Sequence, residues 1–236
     1  MKIHIYQLHC NFSTLSQNKT RPEWFDREKL FDLFISTLDK RVEYISYHDS
    51  GNGDIKDHFL NHKKVNKISE KGGSGAQSFL NLLNYVIKQD HNDDDIIYFV
   101  EDDYIHKPGW IDVLLDGFEY IGADYYTLYD HPNKYYPGMW DQLPSYLMIS
   151  PTAHWRTTVS TTNTYACSFK TLKKHFDIHV QYCDLVENWV KDHDKFTHLW
   201  NIGSNLISCI PGYSAHIEEN MLSPLTNWQE TLNQYI

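Results

Sequence analysis

Three carboxylates in a row, Glu101-Asp102-Asp103, follow an uninterrupted apolar run, Ile96-Ile97-Tyr98-Phe99-Val100. Adjacent like charges disfavour each other, so a folded chain holds them most easily beside a cation. Hard divalent ions such as Mg²⁺ or Mn²⁺ prefer oxygen ligands and often complete their shell with substrate phosphates. The chemistry to expect is therefore metal-assisted work on a phosphorylated substrate. A second acidic run, Asp93-Asp94-Asp95, precedes the same apolar stretch. It reads as a solvated turn at the wrong end of the strand.

The run from Ile96 to Val100 has the length and β-enrichment of a strand buried on both faces, as in a parallel sheet. The acids then lie at its C-terminal end, where open α/β sheets bind ligands. Elements of the same kind come before it. Ile3 to Leu8 alternates as a strand. Pro22 opens a helix that runs to about Leu38, with Trp24, Leu30, Phe31, Phe34 and Ile35 near helical spacing. Val42 to Tyr47 is a second strand, running into the turn signals of His48 to Asp54. Lys71-Gly72-Gly73-Ser74-Gly75 leads into an amphipathic helix, Ala76 to Ile87. After the acids, Pro108-Gly109-Trp110 starts a helix from about Ile111 to Ile121. This β-α-β-α-β-α order predicts an α/β fold, a mostly parallel central sheet flanked by helices.

The second half is less regular. Tyr125 to Tyr129 reads as a strand, and Tyr146 to Ser150 with Trp155 to Ser160 as a hairpin. Helices are expected over Ala166 to His175, capped by Thr162 or Thr164, and over Asp184 to Leu199. Leu206 to Ile210 reads as a last strand. No linker interrupts the chain, so one domain over residues 1–236 is expected.

Composition narrows the partners. The chain has 236 residues, 21 Lys+Arg against 31 Asp+Glu, a net charge of −10 and 14 His. An apolar content of 41% is too high for a disordered chain. The acidic balance argues against nucleic acid as the main partner, since that needs a basic footprint. No stretch approaches the roughly 20 apolar residues of a membrane span. The start, Met1 to Tyr6, does not read as a signal peptide. Cys10, Cys167, Cys183 and Cys209 form no Cys-x-x-Cys pair, so free thiols and a cytoplasmic location are expected.

Taken in order, Gly72-Gly73-Ser74-Gly75-Ala76-Gln77-Ser78, a helix, Ile96 to Val100 and Glu101-Asp102-Asp103-Tyr104-Ile105-x-x-Pro108-Gly109-Trp110 resemble the nucleotide-sugar-binding half of GT-A fold glycosyltransferases. There a small-residue loop precedes a helix, and a hydrophobic strand delivers the DXD motif, of which Glu-Asp-Asp is a variant. The resemblance covers roughly residues 1–121. It implies an acceptor-binding and catalytic half over about 122–236. It implies Asp103 as the metal ligand, Asp102 on the donor ribose or sugar and Glu101 behind them. Asp49 matches an acid that contacts the base. Cys10, in the His9-Cys10-Asn11 loop, would lie beside the base, with Gly75 and Gln77 near base and ribose. His216, in the Pro-Gly turn Ile210 to His216, matches a further metal ligand. The ion would be Mn²⁺ or Mg²⁺, and the donor a nucleotide-diphosphate sugar, UDP-sugar first.

Sugar transfer requires the acceptor hydroxyl to lose its proton as it attacks the anomeric carbon, and in inverting enzymes one carboxylate takes it. In the fold, that base often stands at the start of a helix in the second half. Asp184 and Glu187, three apart and on one face of the expected helix, are the candidates. Neither forms a Glu-Asp pair, and Asp192 and Asp194 are alternatives. A glycan or other hydroxyl acceptor presents C–H faces that stack on aromatics. Trp140, Trp155 and His154 are the candidate acceptor residues. Asp130, His131, Asn133 and Asp141 supply hydrogen bonds nearby, and Arg156 is placed to reach acceptor or diphosphate. A nucleotidyltransferase is the second reading, although the loop after the first strand, Cys10 to Ser13, has no glycine. A non-catalytic carbohydrate-binding protein is the third, and the alternating β-α order speaks against it.

Overall fold

The structure, a computed structural model, describes residues 1–10, 14–49, 58–136 and 144–235; Asn11, Trp140 and Asp141 lie outside them. In chain order the elements are β1 (Ile3–Cys10), α1 (Thr14–Gln17), α2 (Arg27–Ser36), β2 (Val42–Asp49), β3 (Lys67–Glu70), α3 (Gly75–Val86), β4 (Ile96–Glu101), β5 (Tyr104–His106) and α4 (Trp110–Tyr120). Then come β6 (Tyr125–Thr127), β7 (Leu147–Ile149), β8 (His154–Thr158), β9 (Tyr165–Ser168), α5 (Phe169–Lys174), α6 (Phe176–Gln181), β10 (Cys183–Asp184) and β11 (Trp189–Val190). The chain closes with α7 (Asp192–Asn201), β12 (Leu206–Ile210), β13 (Ser214–His216) and α8 (Trp228–Tyr235).

Nine strands form one sheet in the order β3-β2-β1-β4-β9-β6-β12-β8-β7. Only β9 and β8 run against the rest, so the sheet is mixed but mostly parallel. The alternation of β4 explains its apolar run. Ile96, Tyr98 and Val100 join a core with α2, α4 and α8 on one face. Ile97 and Phe99 join another with α3, α5 and α7 on the opposite face. Helix α3 buries Phe79, Leu82, Leu83 and Val86, and Ser74 caps its start by accepting the Gln77 amide. Asp26 caps α2 in the same way, through Lys29.

Helix α2 starts at Arg27 rather than at Pro22, and two further expected helices differ from the sequence reading. Over Ala166 to His175 the chain first forms β9, between β4 and β6 at the centre of the sheet. Ala166 faces one core and Cys167 the other, a period of two. Ser168 then caps α5 through the Thr171 amide. Over Asp184 to Leu199, a hairpin of β10 and β11 comes first and the helix starts only at Asp192. The Asp184 carboxylate accepts the Val186 and Glu187 amides, and Asn188 sits at φ 65, so the chain turns instead of winding on.

Trp155 is a core residue, not a sugar platform. It is fully buried on β8, its indole donates to Ser150 Oγ at 3.0 Å, and its ring lies over Gly117 of α4. A Cβ at Gly117 would stand 2.8 Å from Trp155 Cζ2 and 3.1 Å from Tyr126 Cδ1. Gly117→Ala should therefore lose about 1–3 kcal/mol from overpacking, despite the roughly 1 kcal/mol that alanine gains in a helix. Urea denaturation measures this; an unchanged or higher midpoint would contradict the packing.

Candidate functional site

Parallel register aligns the C-terminal ends of β1, β2 and β4: Cys10 faces Asp49, and Leu8 faces Glu101. Beyond these ends opens a cavity of about 990 Å³. Its walls include Cys10, Lys19 and Arg27, the loop Gly73-Ser74-Gly75, the acids Glu101, Asp102 and Asp103, the segment Ser160 to Asn163, and Glu187 to Asp192.

Asp103 is the centre of charge. It lies in the turn between β4 and β5. Strand β5 pairs with β13 so that Tyr104 faces His216, and the Ile217 amide donates to the Asp103 carbonyl. That small sheet brings a histidine 113 residues away onto the acid: His216 Nε2 is 3.0 Å from Asp103 Oδ2. The same oxygen accepts from Lys19 Nζ at 3.0 Å and Arg21 at 2.6 Å. Burial alone would push the Asp103 carboxyl up, but His216, Lys19 and Arg21 together hold it well below the usual range. Among the described residues, its other oxygen, Oδ1, is buried with no hydrogen-bond partner. Burial raises Asp102 despite Arg27 beside it, and the Asp103 charge adds to the rise. Asp102 accepts from Arg27 at 3.3 Å and from the Cys10 amide at 3.1 Å. Burial and the Asp103 charge push Glu101 up to about 8.

Glu101, Asp103 and His216 offer ligand atoms all within 4.8 Å of one another. The 3.0 Å between Asp103 Oδ2 and His216 Nε2 equals the spacing of neighbouring corners in an octahedral shell with bonds of about 2.1 Å. Two carboxylates, one of them with a spare buried oxygen, and an imidazole are a donor set suited to Mn²⁺ or Mg²⁺.

On the other side of the cavity, Asp49 is already engaged. Its carboxylate accepts the Gly72 amide at 2.9 Å, the Gly73 amide at 3.2 Å and the Ser78 hydroxyl. It shapes the glycine loop rather than lining the cavity. Gly72 must be glycine there, because a Cβ would meet Asp49 Oδ2 at 2.8 Å. Gly75 lines the cavity, whereas the Gln77 side chain donates to Asn81 on its own helix.

The hairpin corrects the expected base. Asp184 is bound to its own turn and to Lys191 at 2.7 Å, is held down to about 2 by Lys191 and those turn amides, and does not line the cavity. Glu187 does line it, and accepts the Trp189 indole at 2.7 Å. Asp192, the first residue of α7, faces the cavity too; Thr161 Oγ1 and the Asn163 amide hold its Oδ2 at 3.2 and 3.3 Å. Of the acceptor candidates, Trp155 is buried, and His154 is exposed at the start of β8 outside the cavity wall. Arg156 is buried against Asp130 at 2.7 Å and does not line the cavity. Trp189, half-exposed at the cavity, is the aromatic that the sequence did not single out. Nor did it single out Lys19, Arg21 and Arg27, which follow β1 in no recognisable motif.

No family model matches the sequence, and a search of curated proteins finds no relative. Solved structures do resemble it. Residues 1–349 of S. aureus TarS give a TM-score of 0.55 at 12% identity, covering 91% of this chain and 60% of that one. The same fragment in complex with UDP gives 0.54 at 13% identity, with the same coverage. CMP:2-keto-3-deoxy-manno-octonic acid synthetase complexed with CTP gives 0.50 at 13% identity, covering 90% and 92%. The chain has a GT-A-like fold. It spans 60% of the length of the TarS fragment. No helix among the described residues is long and apolar enough to cross a membrane.

Beneath the cavity floor lies Lys195, fully buried among Phe79, Tyr165 and Phe196, with Nζ 3.2 Å from Asn163 Oδ1. Burial lowers it to about 8. Folding thus favours the neutral amine, so stability falls as pH drops from lysine's ordinary range through about 8, and is level below that. Lys195→Met should gain stability over the wild type at pH 7 relative to pH 10.5, by on the order of 3 kcal/mol. Thermal melts at both pH values check this; a gain independent of pH would refute it.

Proposed function

We propose that this chain is a metal-dependent glycosyltransferase that moves a sugar from a nucleotide-diphosphate sugar, UDP-sugar first, to a hydroxyl acceptor. The observation that carries the reading is the Glu101, Asp103 and His216 cluster at a strand end in a GT-A-like fold, on a cavity of about 990 Å³. The likeness to TarS in complex with UDP supports the choice of nucleotide. Glu101, Asp103 and His216 would hold Mn²⁺ or Mg²⁺. The ion, when bound, neutralises the leaving diphosphate.

The chain's own residues supply the rest. Gly75 and Cys10 face the cavity and leave room for base and ribose, over a loop shaped by Asp49. Asp102 stands beside them for the ribose or sugar. Trp189, fixed by Glu187, is the platform for the acceptor ring in place of Trp155. Asp192 is the general base, with Glu187 at the rim. As the acceptor oxygen bonds to the anomeric carbon, its proton passes to the Asp192 carboxylate, and the bond from that carbon to the diphosphate oxygen breaks. Inversion follows from that single displacement.

A nucleotidyltransferase is the second reading, and two observations favour it. Lys19 and Arg21, after β1, reach the acidic centre. The synthetase complexed with CTP is covered over 92% of its length.

UDP with Mn²⁺, at about a hundred times its dissociation constant, should stabilise the protein by about 2.7 kcal/mol. That is a shift in melting temperature of roughly 5–10 °C. Asp103→Asn should abolish it. If no nucleoside diphosphate stabilises the protein with the ion present, the proposal fails. Asp192→Asn should cut sugar transfer by about 10²–10⁴-fold while keeping UDP binding. Diphosphate release from CTP or UTP with a sugar phosphate, in place of sugar transfer, would favour the second reading.

A further inference from the structure

Asp103 Oδ2, His216 Nε2 and Lys19 Nζ are mutually 3.0 Å apart. The ammonium thus bridges the same oxygen and nitrogen that a divalent ion would contact. An imidazole nitrogen carries either a proton or a lone pair, so Nε2 can serve Asp103 or Lys19 but not both. Its lone pair is what a metal needs. Lys19 and an ion cannot share the place, since the two positive charges would repel at contact. Asp103 Oδ1 meanwhile has no hydrogen-bond partner among the described residues, so this buried carboxylate has capacity beyond its present contacts. Arg21 differs from Lys19. Its guanidinium also donates to the Ile217 carbonyl, which ties it to the end of β13. Lys19 is partly exposed and lines the cavity, so its flexible stem can carry the ammonium outward along the wall.

We infer that Lys19 is a built-in counter-ion of the metal centre: it neutralises Asp103 when no divalent ion is present, is displaced when one binds, and then contacts the diphosphate of the nucleotide. The inference rests on the metal-dependent reading above. It couples the two ligands. The ion must compete with Lys19, and the released ammonium adds a charge-assisted contact to the nucleotide that arrives with the ion. If the ammonium leaves its place about one-tenth of the time in the ion-free protein, the apparent affinity for the ion is lowered about tenfold.

The test is binding, measured on the full chain without turnover. Mn²⁺ alone is titrated by the loss of its free electron-spin-resonance signal into wild type, Lys19→Met, Lys19→Gln and Asp103→Asn. UDP is titrated calorimetrically at saturating Mn²⁺. Both Lys19 variants should bind Mn²⁺ about tenfold more tightly and UDP about tenfold or more weakly. Asp103→Asn should bind no Mn²⁺. Equal Mn²⁺ affinity in wild type and both Lys19 variants overturns the inference and leaves the metal reading standing. An absence of Mn²⁺ binding in wild type and both Lys19 variants overturns the metal reading and this inference with it. Melting curves of each variant confirm that folded protein is compared, and two different replacements guard against one that fails to fold.

Discussion

A carboxylate buried at the end of a central strand has to be compensated, and much of the site is arranged around that need at Asp103. Isolated, the charge would cost several kcal/mol in the protein interior. Two cations and an imidazole converge on one of its oxygens, drawn from the segment before α2 and from β13. That requirement explains why an acidic protein places Lys19 and Arg21 beside Asp103, with Arg27 on the adjacent Asp102. It also links three distant parts of the chain. The β1–α2 connection, the β4–β5 turn and the C-terminal β13 meet there.

The sheet makes the meeting possible. Parallel β1, β2 and β4 end together, so Cys10, Asp49 and Glu101 form one rim. Antiparallel β9 starts at that rim, with Tyr165 opposite Phe99, so the segment just before it places Asn163 there, whose amide holds Asp192 and whose side chain bonds Lys195. The hairpin of β10 and β11 then covers the start of α3, with the Asn188 carbonyl 3.6 Å from where a Gly75 Cβ would stand. A net charge of −10 thus conceals a local balance. The acids at the end of β4 sit with their own counter-charges, Lys19, Arg21 and Arg27.

The first half was readable because its signals are local. Ile96 to Val100 is apolar at every position, as a strand covered on both faces must be. Ser74 and the spacing of Phe79, Leu82, Leu83 and Val86 announce α3. The second half misled for an equally physical reason. Tyr165 to Ser168 and Cys183 to Val190 are short segments whose apolar residues fit a helix as well as a strand. What decides between them is a neighbour: β4 and β6 on either side of β9, and the turn amides that claim Asp184. Trp155 and Trp189 divide on the same ground: one is core, the other lies at the cavity. Burial is a property of the packed state, and residue type alone does not distinguish a core indole from one at a cavity wall.

The amino-acid order by itself determined the α/β class, the strand that carries the acids and the side of the sheet on which they stand. The family resemblance it carries also singled out Asp103 and His216, although nothing local links positions 113 residues apart. Tertiary structure alone decided that they touch, because only the pairing of β5 with β13 sets the distance between them. It alone brought Lys19 and Arg21 to the same oxygen. It also removed Asp184 and Trp155 from the site. Periodicity reports which face a residue takes within its own element. Which elements share a space is fixed by packing between them, and a ligand site exists only in that shared space.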